Sequence, residues 1–444
     1  MTTQIFQAST LYGTATIAAA LDSGCFPSAE RRVLLVCNNA ATPETTPALD
    51  EMPGFERLRD RFDDVISYNE TIFPFHPGGW APRPDDLTLW ERFLRHEWDL
   101  GTDDVALVVE SIQVNPSLSL AQIFTGAPVT VYADGLMSYG PTRNKIDPLV
   151  GTRVERVLHL DLVPGLPPLL LTEFGVPAEI VPTAGFTKVL AELAPLGDGP
   201  PEAGEPALLL GQYLSALDIL TPEQEEELHV RMLRGAVELG HTTVVFKPHP
   251  SAPARFTRML EQEAERLGAA LTVLGTPVLA EVLYQRMRPA LVVGCFSTAL
   301  LTASALYGLP VARVGTELLL DRLTPYENSN RIPVTVVDAL LPELGDRAAV
   351  EEQRRGMDAE ALGALVRAVG FAMQPKILPG LREETQRYLA AHLDPRTLGY
   401  FKRRRLAALG LPGAVPSQLS FALRNAAVRR MARKARGLHR AVRR

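Results

Sequence analysis

The stretch TTVVFKPHPSAPARF, residues 242–256, decides how this chain is read. Thr243, Val244, Val245 and Phe246 form a β-branched and aromatic run, the pattern of a buried strand. The strand stops at Lys247-Pro248-His249-Pro250, where two prolines remove two backbone donors and fix φ on both sides of the imidazole. An ordinary turn with an exposed histidine accounts for this tetrapeptide taken alone. At the carboxyl end of a strand in an α/β sheet, the same rigid histidine stands where such sheets place ligands. The choice depends on the rest of the chain.

Working outward, strand-like runs alternate with helix-length segments from end to end, the pattern of parallel α/β sheets. In the first half the strands are QIFQA (4–8), RVLLVC (32–37), DVALVVE (104–110), PVTVYA (128–133) and RVLHLD (156–161). A Pro-, Gly- and acid-rich segment without apolar periodicity then reads as a linker. A second series follows: ALLLGQ (207–212), TTVVFK (242–247), ALTVLG (270–275), ALVVGC (290–295), PVARVG (310–315) and PVTVVD (333–338). Between the first two of these, Thr221 caps a helix, Pro222 takes its first position and Gly240 ends it. The fold class expected is α/β, with two facing doubly wound, Rossmann-like domains. Residues 1–190 form the first domain, 191–206 the linker, 207–345 the second domain, 346–400 a helical return and 401–444 a basic tail. The segment LREETQRYLAAHL in the return is expected to pack back across both halves.

A chain of 444 residues exceeds one comfortable core, and its 46% apolar and 22% charged content is that of a globular protein. The first residues lack a basic stretch followed by an apolar one, and no apolar run reaches bilayer length, so a cytoplasmic location is expected. Cys25, Cys37 and Cys295 are odd in number and lie far apart among apolar neighbours, which fits reduced core thiols. The net charge of −6 conceals an asymmetry: residues 401–444 hold 13 Lys and Arg and no acid, leaving 32 basic against 51 acidic residues before them. The tail carries Leu419, Leu423, Ala426 and Ala427 on one helical face with arginines around it. It fits an anionic membrane surface, on the inner face of the plasma membrane, and its shortage of aromatic residues argues against nucleic acid.

Three further strand ends offer chemistry to His249. VTVYADGLMSYGPTRNKI places Asp134-Gly135 at a strand terminus, where an ionised carboxylate can take a proton from a hydroxyl; a turn-forming Asp-Gly is the alternative. LVVGCFSTALL ends its strand at Gly294 and opens a helix with Ser297 and Thr298, hydroxyls beside free N–H groups that can hold phosphate or simply cap the helix. FQASTLYGT carries Ser9, Thr10 and Gly13 after the first strand. A base, a rigid imidazole and a phosphate cradle together point to transfer from an activated phosphate ester. No G-x-x-x-x-G-K-[ST] and no G-x-G-x-x-G follows a strand, which disfavours ATP hydrolysis and dinucleotide redox chemistry.

The order Asp134-Gly135, then Lys247-Pro248-His249-Pro250, then Ser297-Thr298, together with the opening ASTLYG, resembles the bacterial sialyltransferases, closest to the α-2,8-polysialyltransferase-like family. The resemblance covers most of residues 4–320 and implies a GT-B fold and inverting, metal-independent transfer from a CMP-activated nonulosonic acid, without a cofactor. It implies Asp134 as general base and His249 as the group that meets the leaving phosphate. Ser297 and Thr298 would hold that phosphate or the donor's carboxylate. Lys247, Pro250, Gly294, Ser9, Thr10 and, at the ribose, Glu281 complete the donor side, while Gly135 and Asn144 face the acceptor, a glycan or cell-surface polymer. One departure stands out: the family's acidic motif commonly has two acids before glycine, whereas here Ala133 precedes Asp134, leaving the base without an acidic neighbour.

Other polar residues have simpler roles. His76 belongs to a loop over the cleft, His96, His159 and His229 lack partners at metal spacing, and the tryptophans 80, 90 and 98 are expected to pack. A CDP-glycerol-type phosphotransferase is the rival enzyme, but it would carry an acid and a tyrosine where this chain has Cys295-Phe296. A non-catalytic scaffold of the same fold is the alternative of a different class, resting on the missing second acid.

Overall fold

Short β-branched runs pair in parallel to build two sheets. The computed structural model describes residues 1–194, 205–249, 252, 255–275 and 278–414. The first sheet contains β1 (Thr2–Ala8), β2 (Arg31–Val36), β3 (Asp64–Ser67), β4 (Asp104–Glu110), β5 (Val129–Ala133), β6 (Val154–Leu160) and β7 (Ala178–Val181). The second contains β8 (Ala207–Leu210), β9 (Thr243–Lys247), β10 (Ala270–Val273), β11 (Leu291–Gly294) and β12 (Val311–Arg313). Their orders, β3-β2-β1-β4-β5-β6-β7 and β10-β9-β8-β11-β12, both reverse direction beside the first strand of the sheet, so each half is doubly wound. The central strands are buried on both faces, as a parallel sheet covered by helices requires.

Two strands escape the sequence reading, and one predicted strand is a helix. β3 and β7 are edge strands whose residues are mostly half-buried or exposed, so they carry no continuous apolar run. PVTVVD (333–338), expected as a strand, lies inside the helix Arg331–Leu340. All ten residues of this helix are buried, and its Val334-Thr335-Val336-Val337 run carries the β-branched pattern of a strand. Pro333 sits in its first turn, where a missing N–H costs nothing. Tertiary burial outweighs the β-propensity of Val334, Thr335, Val336 and Val337.

That helix fixes how the halves meet. A methyl group on Gly140, from the first half, would lie 3.3 Å from Ile332 Cγ1. At its other end Asp338 accepts hydrogen bonds from Thr316 Oγ1 (2.5 Å) and the Tyr400 hydroxyl (2.8 Å) and pairs with Arg313 at 3.0 Å. The helix Ala359–Met373 makes the return crossing, with Gly363 and Gly370 set close to Leu166 and Leu169. Gln374 then donates to the Arg143 carbonyl at 2.7 Å. The segment expected to cross back, LREETQRYLAAHL, forms the helix Arg382–Ala391 and packs on that returning helix, with Arg367 pairing Glu384.

Other features follow the sequence closely. The helix Pro222–Glu238 has Thr221 as a full capping box with Gln224, Pro222 at its first position and Gly240 at φ 99° after its end. The helix Thr183–Leu193 runs into the segment read as linker, most of which lies outside the described residues. Residues 415–444, which carry the amphipathic part of the basic tail, lie outside them too. Within the described part, Lys402 and Arg405 serve the fold: Lys402 Nζ donates to the Leu323 carbonyl (2.8 Å) and Arg405 pairs with Glu327 (2.6 Å). No helix of the described residues is long and apolar enough to cross a membrane.

Asp338→Ala should leave Arg313 buried without its counter-charge and cost about 3–5 kcal/mol. Urea denaturation followed by circular dichroism measures this; an unchanged midpoint would show that the network does not hold the helix.

Candidate active site

The carboxyl edges of the two sheets face one another across a cavity of about 1130 Å³. From the first half it is lined by Ser9, Thr10, Tyr12, Asp134 and Gly135, and from the second by Lys247, His249, Glu281, Ser297 and Thr298. A smaller chamber of about 360 Å³ lies on the first-half side, lined by Glu110, Gln113 and Arg143. Asp134, Gly135, Phe296 and Thr298 line both spaces. A methyl group on Gly135 would sit 3.2 Å from Thr298 Oγ1, so the halves touch at this point.

Asp134 follows β5 and is packed against the first turn of the helix Leu11–Asp22. Gly13 makes that approach possible: a Cβ there would lie 3.1 Å from the Tyr132 hydroxyl and 3.3 Å from Asp134 Oδ2. Burial, then the negative charge of Glu110, raise the Asp134 carboxyl above the ordinary aspartate range. Glu110 ends β4 and is the neighbour the sequence reading missed. Asp134 therefore has an acidic neighbour, supplied by the adjacent strand rather than by position 133. Glu110 accepts the Ser9 hydroxyl at 2.5 Å, and its own carboxyl is raised by burial. The signal was present in DVALVVE, a strand ending on glutamate, but only the strand order β1-β4-β5 brings it beside Asp134.

The second half presents cations and helix starts. Lys247 ends β9, and burial lowers its ammonium pKa against the opposing pull of Glu281. His249 keeps solvent access from the cavity; partial desolvation and then the Lys247 charge push its imidazole down. Gly211 lets the end of β9 close in, since a Cβ there would lie 2.9 Å from the Phe246 ring, and its N–H donates to the Lys247 carbonyl at 2.9 Å. Ser297 caps the helix Thr298–Tyr307 by accepting from the Ala299 N–H. Gln212 accepts the Phe296 N–H at 2.8 Å and so ties the turn after β11 to the one after β8. Glu281 is buried in the first turn of its helix, raised by desolvation and opposed by the Thr302 hydroxyl at 2.6 Å. Tyr12 lines the cavity with its hydroxyl buried and without a hydrogen-bond partner among the described residues.

The structure thus brings together Asp134, Gly135, His249, Lys247, Glu281, Ser297, Thr298, Ser9 and Thr10. Ser9 is engaged by Glu110, and Thr10 caps its helix by accepting from the Gly13 N–H at 2.9 Å. Two expected residues are not at the cavity wall. Gly294 packs beneath Leu300, and Asn144 is exposed, while its neighbour Arg143 lines the smaller chamber and reaches Ser329 of the second half at 3.3 Å. Pro250 lies outside the described residues. His76 holds the Ala40 carbonyl at 2.8 Å, and Ala40 lines the large cavity. Trp80 packs edge-on against Trp90, and the cysteines are free, with Cys37 and Cys295 buried. His159 and His229 are buried, and desolvation pushes His229 down to about 4.

Two doubly wound parallel-sheet domains facing one another across a shared cleft are the GT-B fold of glycosyltransferases. The chain belongs to the α-2,8-polysialyltransferase family, whose profile matches residues 4–316. No curated protein matches it in sequence. Among solved structures it is similar to the UDP-GlcNAc 2-epimerase of Methanocaldococcus jannaschii (12% identity, TM-score 0.45, covering 84% of this chain and 100% of that one). It is also similar to the GT-B domain of a sialyltransferase from Photobacterium damselae (11% identity, TM-score 0.39, 76% and 96%) and to Acinetobacter baumannii MurG (11%, 0.39, 87% and 95%).

Gly13→Ala opposes two effects. Alanine favours the helix by about 1 kcal/mol, yet its methyl crowds Asp134. Turnover should fall by roughly 10²-fold, the cost of a small misplacement of a reacting group, with melting temperature held or raised. Equal turnover in the two proteins would show that Asp134 needs no such clearance.

Proposed function

We propose that this protein is an inverting, metal-independent glycosyltransferase that moves a nonulosonic acid from a CMP-activated donor to a hydroxyl of a glycan. The observation that carries this reading is that Asp134 and His249, from opposite halves, line one cavity. The family membership supports a sialic-type donor sugar.

On this reading the donor occupies the large cavity and the acceptor approaches through the smaller chamber. Asp134 takes the proton of the acceptor hydroxyl as its oxygen bonds to the anomeric carbon, and the bond to the leaving phosphate breaks with its electrons on CMP. Attack from the face opposite the leaving group inverts the centre. His249 donates to the phosphate oxygen that gains charge, while Lys247 and the N–H groups opening the helix Thr298–Tyr307 stabilise it further. Glu281 supplies a carboxylate for ribose hydroxyls, and the Tyr12 hydroxyl is a further donor to the ligand. The ground for a non-catalytic scaffold, the missing second acid at position 133, is weakened by Glu110, which lines the same chamber as Asp134 from the adjacent strand.

The proton states favour the donor as the trigger. Lowered by desolvation and then by Lys247, His249 favours its neutral form in the empty cleft; a bound phosphate reverses the local charge and favours imidazolium. CMP should therefore bind more tightly as pH falls from 8 to 6, and His249→Ala should flatten that dependence in titration calorimetry. With CMP-sugars and sialylated acceptors, Asp134→Asn and His249→Ala should each lower turnover by about 10²–10⁴-fold, with CMP binding retained in Asp134→Asn. Wild-type protein that releases no CMP from any CMP-nonulosonic acid, or an Asp134→Asn variant at full rate, would overturn the proposal.

A further inference from the structure

We propose that Glu110 is a positioning residue that sets the charge state of Asp134, with Ser9 as its hydrogen-bond anchor. This rests on the reading of Asp134 as general base.

β4 and β5 are parallel neighbours with Glu110 opposite Tyr132, and Asp134 lies two residues further along the same chain direction. Both carboxyl groups line the small chamber. Neither forms an ion pair among the described residues, although the protein forms such pairs readily elsewhere. Glu110 is nevertheless held firmly. Its side chain accepts from Ser9, its N–H donates to Gln7 Oε1 at 3.0 Å, and its carbonyl accepts from Ser117, which also donates to Gln7 Oε1 at 2.8 Å.

A buried carboxyl without a counter-ion is costly, and a glutamine would satisfy the same Ser9 hydroxyl without that cost. What glutamate adds is negative charge beside the base. Two carboxyl groups in one desolvated chamber resist ionising together, so each makes the other a stronger base than it would be alone. The other titratable groups around Asp134 do not cancel this. Tyr12 and Tyr132 are kept neutral by burial. Glu281 is a further acid acting on Tyr12; Lys247 and His249 come from the second half, and Arg143 lines the same small chamber, but none of these cations offsets the effect of burial and Glu110 on Asp134. A stronger base is what abstraction from an unactivated sugar hydroxyl requires.

The test is the titration of Asp134 itself, read by carbon-13 NMR of protein labelled at the aspartate carboxyl carbon, with Asp134→Asn identifying the signal. Glu110→Gln should move the midpoint to lower pH by about one unit or more. Removing the Ser9 donor leaves Glu110 more readily protonated, so Ser9→Ala should move it in the same direction by less. In transfer assays the acid limb of kcat/KM should follow, because activity is lost as pH falls through the pKa of the base. A purely structural role for Glu110 would lower the rate at every pH and leave the limb in place. An unmoved Asp134 midpoint in Glu110→Gln, or in Ser9→Ala should Glu110→Gln fail to fold, overturns the inference. Activity surviving in Asp134→Asn would instead overturn the assignment of the base.

Discussion

The close approach of the two sheets' carboxyl edges is the constraint on which the site depends. Asp134 and His249 share no element and are separated by more than a hundred residues, so neither could act with the other unless the halves were fixed in orientation. That fixing is done by the helix Arg331–Leu340, wholly buried and seated against the turn at Gly140. Its far end is held by the buried cluster of Arg313, Thr316, Asp338 and Tyr400. Polar groups inside a core specify one arrangement, because any slip leaves a charge or hydroxyl unpartnered.

Much of the architecture was legible from local pattern. Strands such as β4 and β9 announce themselves by uninterrupted β-branched runs, and the capping box at Thr221 fixes a helix start to the residue. Illegible features share a physical cause: their identity is decided by distant parts of the chain. The helix at 331–340 reads as a strand because its β-branched run carries strand propensity, and only packing against distant parts of the chain makes it helical. Glu110 reads as the last residue of a strand because its relation to Asp134 exists only in the sheet order. Asn144 and Gly294, expected at the site from their place beside a motif, do not line the cavity: Asn144 is exposed and Gly294 packs beneath Leu300.

The electrostatics of the cleft are also distributed between the halves. On one side burial and then the charge of Glu110 raise Asp134; on the other, burial lowers Lys247, and burial followed by the Lys247 charge lowers His249. Each half thus keeps its own charges scarce when the cleft is empty, and the two fields act on opposite ends of whatever bridges them. A ligand that carries its negative charge toward Lys247 and its hydroxyl toward Asp134 satisfies both at once. The same ligand reversed would set phosphate against Asp134 and Glu110.

The hydrogen bond from Tyr400 to Asp338 ties the end of the chain to the junction between the domains. Lys402 and Arg405 follow within a few residues and grip Leu323 and Glu327, so the backbone leaving this region is bolted to the same part of the molecule. Any force on the helix Arg403–Leu409 is therefore passed to the junction between the halves.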